Sequence, residues 1–406
     1  MNVKNQNIPR PIYTQHVMDL INKKMMIILV GQRRVGKSYI LLQIKDIIEE
    51  TDPIANVIYI NKEWQRFSDI GKSEDLYKYV DNLIDQNKNN YLFIDEVQDI
   101  EDYQIALRSL YSEDKCQIIA TGSNAKIFSS EISSKLGGRY LEVPIYPLSY
   151  KEFLIFHNLE DTDDSLLKFI RVGGLPGLAL FDIENERQIT DYLQGVFSTI
   201  IMKDVILREQ IRNVTYLENL TTFIADNIGK LFSIKKVTNT MISQGEKISD
   251  ILTSNYVKYL KQSLLIQPLS RYDIHGKKIF EQIQKYYFTD NGLRNFLLGF
   301  NIRSSIEKII ENIVYNQLLI EGYKVFVGSL RNTEIDFIAE KNNQKIYIQC
   351  TYILGSQETI QREFGNLQAI NDNYPKFVVS MEPIAGELAD YPGIQHIRLR
   401  DFLTRF

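Results

Sequence analysis

Cysteine is scarce in this chain: two in 406 residues, Cys116 and Cys350, each inside an apolar run. That excludes a disulfide scaffold and reads as a reduced, cytoplasmic protein. No apolar stretch approaches the length of a membrane span, and Met1-Asn-Val-Lys-Asn-Gln-Asn is not built like a signal peptide, so no membrane partner is expected. An excess of one charge is lacking too. Lys and Arg number 47 against 51 Asp and Glu, a formal charge of −4. Any nucleic-acid contact must therefore rest on a local patch. Internal repeats and low-complexity segments are also absent. What is present, 44% apolar and 24% charged residues, is a globular composition. The length exceeds a single ordinary core and calls for roughly two to four domains.

Gly31-Gln-Arg-Arg-Val-Gly-Lys-Ser38 has the spacing G-x-x-x-x-G-K-[ST], a loop whose N–H groups wrap nucleotide phosphates. Met26–Val30 before it is an apolar run of strand length. Tyr39 and the residues after it repeat apolar side chains at helical spacing. Strand, loop and helix together place phosphates at a helix N-terminus, where unpaired N–H groups favour negative charge. Gly31, Gln32, Arg33, Arg34, Val35, Gly36, Lys37, Ser38 and Tyr39 form the expected nucleotide-binding set. Lys37 would reach the β- and γ-phosphates of ATP, and the Ser38 hydroxyl would bind Mg²⁺. Arg33 and Arg34 face either nucleotide or a partner.

Tyr91-Leu-Phe-Ile-Asp-Glu96 is an apolar strand ending in two carboxylates. Asp95 would hold Mg²⁺ opposite Ser38, and Glu96 would polarise the attacking water as general base. The strand Gln117–Thr121 runs into Gly122-Ser-Asn-Ala125. Ser123 and Asn124 either sense the γ-phosphate or cap the next helix. Arg139 either reaches a γ-phosphate, in its own or a neighbouring subunit, or is a solvated strand end.

Strands at Met26–Val30, Val57–Ile60, Tyr91–Ile94, Gln117–Thr121 and Arg139–Val143 alternate with helices at Ser38–Glu49, Ser73–Gln86 and Asp102–Tyr111. That alternation predicts a parallel sheet covered on both faces. A mostly helical stretch to Arg212 follows, broken by Gly173-Gly-Leu-Pro-Gly177 as a hinge or turn. Three helices and a strand pair between Tyr216 and Leu298 read as a winged helix-turn-helix. Its recognition helix, Ser249–Leu265, turns Lys258 and Lys261 outward, with Arg271, Lys277 and Lys278 on the wing. This face either contacts DNA phosphates or packs against the ATPase part or a partner.

With these residues in hand the chain resembles prokaryotic P-loop ATPases of the AAA+ type that carry a nuclease-like C-terminal domain. The resemblance lies in Gly31–Ser38, in Leu92-Phe-Ile-Asp-Glu-Val-Gln-Asp99, and in Ala120-Thr-Gly-Ser-Asn124, Gly138-Arg-Tyr140, Pro147-Leu-Ser-Tyr-Lys-Glu-Phe153 and Gly173-Gly-Leu-Pro176. It continues in Lys285-Tyr-Tyr-Phe-Thr-Asp-Asn-Gly292, Glu311-Asn-Ile-Val-Tyr315, Glu334-Ile-Asp-Phe337 and Tyr374-Pro-Lys376. It implies an α/β protein with a parallel P-loop ATPase sheet at 1–148, a helical linker or lid at 149–215 and a winged helix at 216–300. At 301–406 it implies a domain similar to the PD-(D/E)xK nuclease fold. There Glu311, Asp336 and Gln349 occupy the positions of the metal-binding acidic set, and Thr351 stands where the pattern has lysine. Without that ammonium nuclease activity is not expected, although Lys345 could migrate into the role. The function expected is Mg²⁺-dependent ATP hydrolysis driving a switch on DNA, a protein partner or a homo-oligomer. The competing readings are a nucleotide-gated DNA-binding regulator and an ATP-regulated metal-dependent nuclease.

Overall fold

In this computed structural model the described residues are 8–21, 23–125, 136–274, 276, 278–330, 333–382, 386–387 and 390–405. They form two compact units, one running to Ile145 with Gln262–Leu264, the other made of Tyr146–Lys261 and Leu265–Phe406.

The first unit contains α1 (Pro11–Ile21), β1 (Met26–Val30), α2 (Lys37–Thr51), β2 (Ala55–Asn61) and α3 (Ser73–Asp81). It continues with β3 (Asn89–Asp95), α4 (Tyr103–Ser112), β4 (Gln117–Gly122) and β5 (Tyr140–Pro144). The five strands are all parallel, in the order β2-β3-β4-β1-β5. Strand alternation sorts their side chains into two layers. Met26, Ile28, Ile60, Ile94 and Ile118 share a core with Leu76 of α3 and Leu107 and Leu110 of α4. The intervening Ile27, Leu29, Phe93 and Ile119 are fully buried too, and α2 packs on those strands. Each such aliphatic side chain contributes roughly 1.5–3 kcal/mol by leaving water. Helix α3 stops at Asp81, short of the expected Gln86. Asp85 and Asn90 build a side-chain-bonded turn there, Asp85 N–H donating to Asn90 Oδ1 at 3.0 Å and Asn87 N–H to Asp85 Oδ1 at 2.9 Å.

The second unit opens with α5 (Tyr150–His157), α6 (Asp163–Val172) and α7 (Glu186–Thr199), the last continuing as a π-helix over Ile200–Leu207. Then come α8 (Val214–Asp226), α9 (Ile234–Ser243), α10 (Asp250–Gln262), the strands β6 (Ile266–Asp273) and β7 (Lys278–Phe288), α11 (Asn291–Leu297) and α12 (Ile306–Ile320). The chain ends through β8 (Lys324–Leu330), β9 (Thr333–Lys341), β10 (Gln344–Cys350), α13 (Gln357–Gln368), β11 (Lys376–Ser380), β12 (Gly386–Glu387), β13 (Ile394–Arg398) and α14 (Leu399–Arg405).

One sheet, β12-β13-β11-β10-β9-β8-β6-β7, runs through all these strands. The β6–β7 hairpin read as a wing is its edge. β6 pairs in parallel with β8, Arg271 opposite Val327 and Asp273 opposite Ser329, and Arg271 donates to Ser329 Oγ at 3.0 Å. Lys277 lies outside the described residues, as does the Lys278 side chain.

The glycine pair read as a hinge or turn is a packed turn at the end of α6. Gly173 caps α6 at φ 81°, and a Cβ there would sit 2.5 Å from Gly292 N and 2.6 Å from Asp290 Oδ1. Buried Asp290 accepts from Gly174 N–H at 2.7 Å and from Leu293 N–H at 2.9 Å. Asn291 and Asn295 both donate to Ile170 O, at 2.9 and 2.8 Å, satisfying carbonyls at the end of α6.

Candidate functional site

The register of the first sheet lines up three strand tips. β4 lies between β1 and β3, with Val30 opposite Gly122 and Ile94 opposite Ala120. The loop that begins at Gly31, the carboxylates at 95–96 and the residues after Thr121 therefore emerge along one carboxyl edge.

The loop's shape follows from its residues. Arg34 and Gly36 take left-handed backbone, φ 69° and 96°, the second at negligible cost because glycine has no Cβ. Gly31 admits no side chain: a Cβ would stand 2.2 Å from Ile145 O. Lys37 is buried and donates to Gly31 O at 3.0 Å and Gln32 O at 3.1 Å, curling the loop around its ammonium. Val35 is fully buried, while Tyr39 on α2 is 60% exposed. Gln32 is fully buried, and neither polar side-chain atom has a hydrogen-bond partner among the described residues. Arg10, which nothing in the sequence marks, packs from below. Its Nη1 donates to Val35 O at 2.9 Å, and its guanidinium lies 4.5 Å over the Tyr13 ring.

The two carboxylates at the tip of β3 differ in surroundings. Thr121 Oγ1 donates to Asp95 Oδ1 at 2.6 Å and Asn61 Nδ2 to Asp95 Oδ2 at 3.2 Å. Burial pushes the Asp95 carboxyl above its ordinary range, against hydrogen bonds from Thr121 and Ser38. Glu96 turns back on a left-handed residue, φ 58°, and its N–H donates to Thr121 Oγ1 at 2.9 Å. Ser123 Oγ donates to Glu96 Oε2 at 3.0 Å, and Gln98 Nε2 donates to the same oxygen. Burial would raise this carboxyl, but the charges of Lys37 and Arg33 outweigh it and hold Glu96 below its usual range. A carboxylate bonded to a serine hydroxyl, as Asp95 is to Ser38, is the hard-oxygen donor set that Mg²⁺ takes, so these residues fit that ion.

Asn124 is buried beside Ser123 at the end of β4. Arg139 is not brought to this edge. It is exposed, precedes β5, and its carbonyl accepts from Met26 N–H at 3.1 Å, at the amino end of β1. The chain's own loop stands at the opposite end of the same strand, so a γ-phosphate contact within one chain is excluded by the direction of the strand. Lys258 is exposed on α10, but Lys261 is half-buried and burial depresses its ammonium.

A second charged cluster gathers Glu311, Asp336 and Gln349, together with a residue that the sequence reading missed. Lys285, on β7 and 1% exposed, lies 2.6 Å from Glu334 Oε1, 3.9 Å from Glu311 Oε2 and 4.0 Å from Asp336 Oδ1. Tyr287 Oη donates to Glu311 Oε2 at 3.0 Å and Lys308 to Oε1 at 2.8 Å. Cys350 N–H donates to Asp336 Oδ2 at 2.8 Å, while Gln349 Oε1 is occupied by Asp336 N–H at 3.1 Å. Burial, then the charge of Glu311, pushes Asp336 up to about 8. For Lys285 burial works downward, but the charges of Glu311, Asp336 and Glu334 prevail and hold it protonated. Lys345, named as a lysine that could take the missing role, pairs with Glu340 at 3.0 Å.

The fold and the first site define a P-loop protein with an AAA-type domain: residues 23–154 match the AAA domain family, and 163–304 match a domain of unknown function (DUF8612). An uncharacterized protein of Haemophilus influenzae is 31% identical over 404 residues, covering 98% of this chain and 99% of the relative. The uncharacterized protein MJ1544 of Methanocaldococcus jannaschii is 32% identical over 85% of this chain and 78% of its own. This chain belongs to the same family as these relatives. Among solved structures, AMPPCP-bound DnaA from Aquifex aeolicus is similar at TM-score 0.32 and 16% identity, over 51% of this chain and 73% of that one. Cdc6p from Pyrobaculum aerophilum is similar at TM-score 0.34 and 10% identity, over 74% and 97%. Likenesses this loose say nothing of what this chain binds.

Proposed function

We propose that the protein binds ATP with Mg²⁺ and hydrolyses it, using the cycle to switch a partner, DNA or protein. The observation that carries this reading is the alignment of the Lys37 loop, Asp95 with Glu96, and Ser123 with Asn124 along one edge of the parallel sheet. In this reading Lys37 leaves its two loop carbonyls for the β- and γ-phosphates, whose charge the loop N–H groups share. Ser38 and Asp95 hold Mg²⁺, which supplies Lewis-acid polarisation of the phosphates. Glu96 accepts a proton from a water as its oxygen attacks the γ-phosphorus and the bond to the ADP oxygen breaks, giving ADP and phosphate.

The experiment is a pair of variants assayed for ATP binding by calorimetry and for phosphate release. Glu96→Gln keeps ATP bound and stops turnover, whereas Lys37→Ala loses binding. Hydrolysis by Glu96→Gln at the wild-type rate rejects the general base, and wild-type affinity in Lys37→Ala rejects the site.

The division into ATPase, lid, winged-helix and nuclease-like parts belongs to the same proposal, with β8, β9, β10 and β11 following α12 as the nuclease-like core. Exposed Lys258 is the better DNA-contact candidate of the two on α10. Work in the cytoplasm is supported by two free cysteines, and among the described residues no helix is long and apolar enough to cross a membrane.

A further inference from the structure

In a nuclease-like fold, Glu311 and Asp336 would be expected to hold a divalent ion. Their donor set does not fit one. Both oxygens of Glu311 already accept hydrogen bonds, from Tyr287 and Lys308, and Asp336 Oδ2 accepts from Cys350 N–H. Gln349 has its carbonyl turned to the Asp336 backbone. The ammonium of Lys285 stands between the acidic groups, within 4.0 Å of three of them. A second cation placed there would face that ammonium at a few ångströms in a poorly screened interior. Among the described residues no group of three His, Cys, Asp or Glu could hold a metal ion.

Lys285 comes from an unexpected place. In the sheet, β8 and β6 lie between β7 and β9, so no backbone pairing joins Lys285 to Glu334 or Asp336. The β6–β7 register shifts between Ser270 and Arg271, and Lys285 faces Leu269 on the far side of that shift. The hairpin thus reaches the acidic residues of β9 and α12 by a side chain where the ladder does not. The turn after α8 packs against both: Gly229 N–H donates to Tyr286 O of β7 at 3.2 Å, and a Cβ at Gly229, φ 69°, would stand 2.6 Å from Glu311 Oε2.

We propose that Lys285 is the resident cation of this acidic cluster, which is thereby closed to divalent metal and serves to clamp the β6–β7 hairpin onto the C-terminal sheet. A buried ammonium among Glu311, Glu334 and Asp336 is held there because removing it leaves the acidic groups unpaired.

The test is Mn²⁺ titration of the full-length protein without nucleotide, read by the free-ion paramagnetic resonance signal. Wild type and Asp336→Asn take up Mn²⁺ identically. Lys285→Gln gains a Mn²⁺ site, the double variant Lys285→Gln/Asp336→Asn loses it again, and Lys285→Arg, which keeps the charge, gains none. A wild-type Mn²⁺ site that disappears in Asp336→Asn overturns the proposal, a result that does not require the Lys285 variants to fold. Failure of a folded Lys285→Gln to gain a site overturns it as well. Neither result bears on ATP hydrolysis, which is read at Lys37 and Glu96.

Discussion

Ser123 and Gln98 donate to one and the same oxygen, Oε2 of Glu96, the serine at 3.0 Å. A carboxylate that is to take a proton from water needs that acceptor capacity. Gln98 comes from the short turn that follows Glu96 itself, so the restraint is local. Releasing it is worth about 1.5 kcal/mol, the lower end for a hydrogen bond to a charged group. We therefore expect Gln98→Ala to raise basal ATP turnover by about tenfold with little change in ATP affinity. A steady-state phosphate-release assay checks this, and a fall in turnover would mean that Gln98 orients Glu96 productively.

Gly31→Ala is expected to damage the loop rather than only the affinity. Its Cβ would overlap Ile145 O at 2.2 Å, a backbone atom that cannot rotate away. Strain and overpacking of this kind cost roughly 1–3 kcal/mol. Thermal unfolding should move down and ATP binding should be lost together, whereas retained binding at an unchanged melting temperature would contradict the geometry.

Arg139→Ala should leave ATP affinity within about twofold of wild type, a change smaller than one hydrogen bond is worth. The reason is its position at the amino end of β1, away from the loop. Calorimetric titration of the variant decides it. A large loss of affinity in dilute protein would put this arginine on its own chain's nucleotide.

Asp290 offers a pH experiment. Burial holds its carboxyl at about 6, above the ordinary 3.8, despite backbone donors at Gly174 and Leu293. The proton is thus held more tightly in the fold than in the unfolded chain. Its stabilising contribution is full below about pH 4, shrinks as pH rises to about 6, and is constant above that. Asp290→Asn replaces an acceptor with a donor facing N–H groups and should cost roughly 1–3 kcal/mol. The gap between wild type and variant in urea unfolding should be wider at pH 4.5 than at pH 7. A gap that widens with pH would reverse the sign and refute the raised carboxyl.

The sequence made legible what is local. Met26–Val30, the glycine loop and the helix after it are contiguous, and the strand ending in Asp95 and Glu96 carries its own apolar run. Thus the parallel sheet and its carboxyl-edge residues could be read without coordinates. Arg10 could not, because its partner Val35 O lies across a helix and a strand. Lys285 sits in the aromatic strand Lys285-Tyr-Tyr-Phe288 and looks like an ordinary outward lysine until β9 and α12 close over it. Lys261 has an outward helical position, yet periodicity records spacing and not what packs against that face. For Arg139 the sequence left a phosphate contact and a solvated strand end open, because its motif marks the strand that follows it and only the strand's direction shows which end that is.

Gly31 and Ile145 also have a mechanical consequence. Ile145 is the last residue of the first unit's main run, the point where the chain departs for the second. Its N–H holds Val30 O at 2.6 Å while its carbonyl crowds the first residue of the phosphate loop. The two peptide groups that flank Ile145 thus both meet the start of the loop, one through its N–H and the other through its carbonyl. A shift of the Gly31 backbone in that direction would press on the Ile145 carbonyl, so the first residue of the loop and the last of the unit's main run form one corner of the first unit.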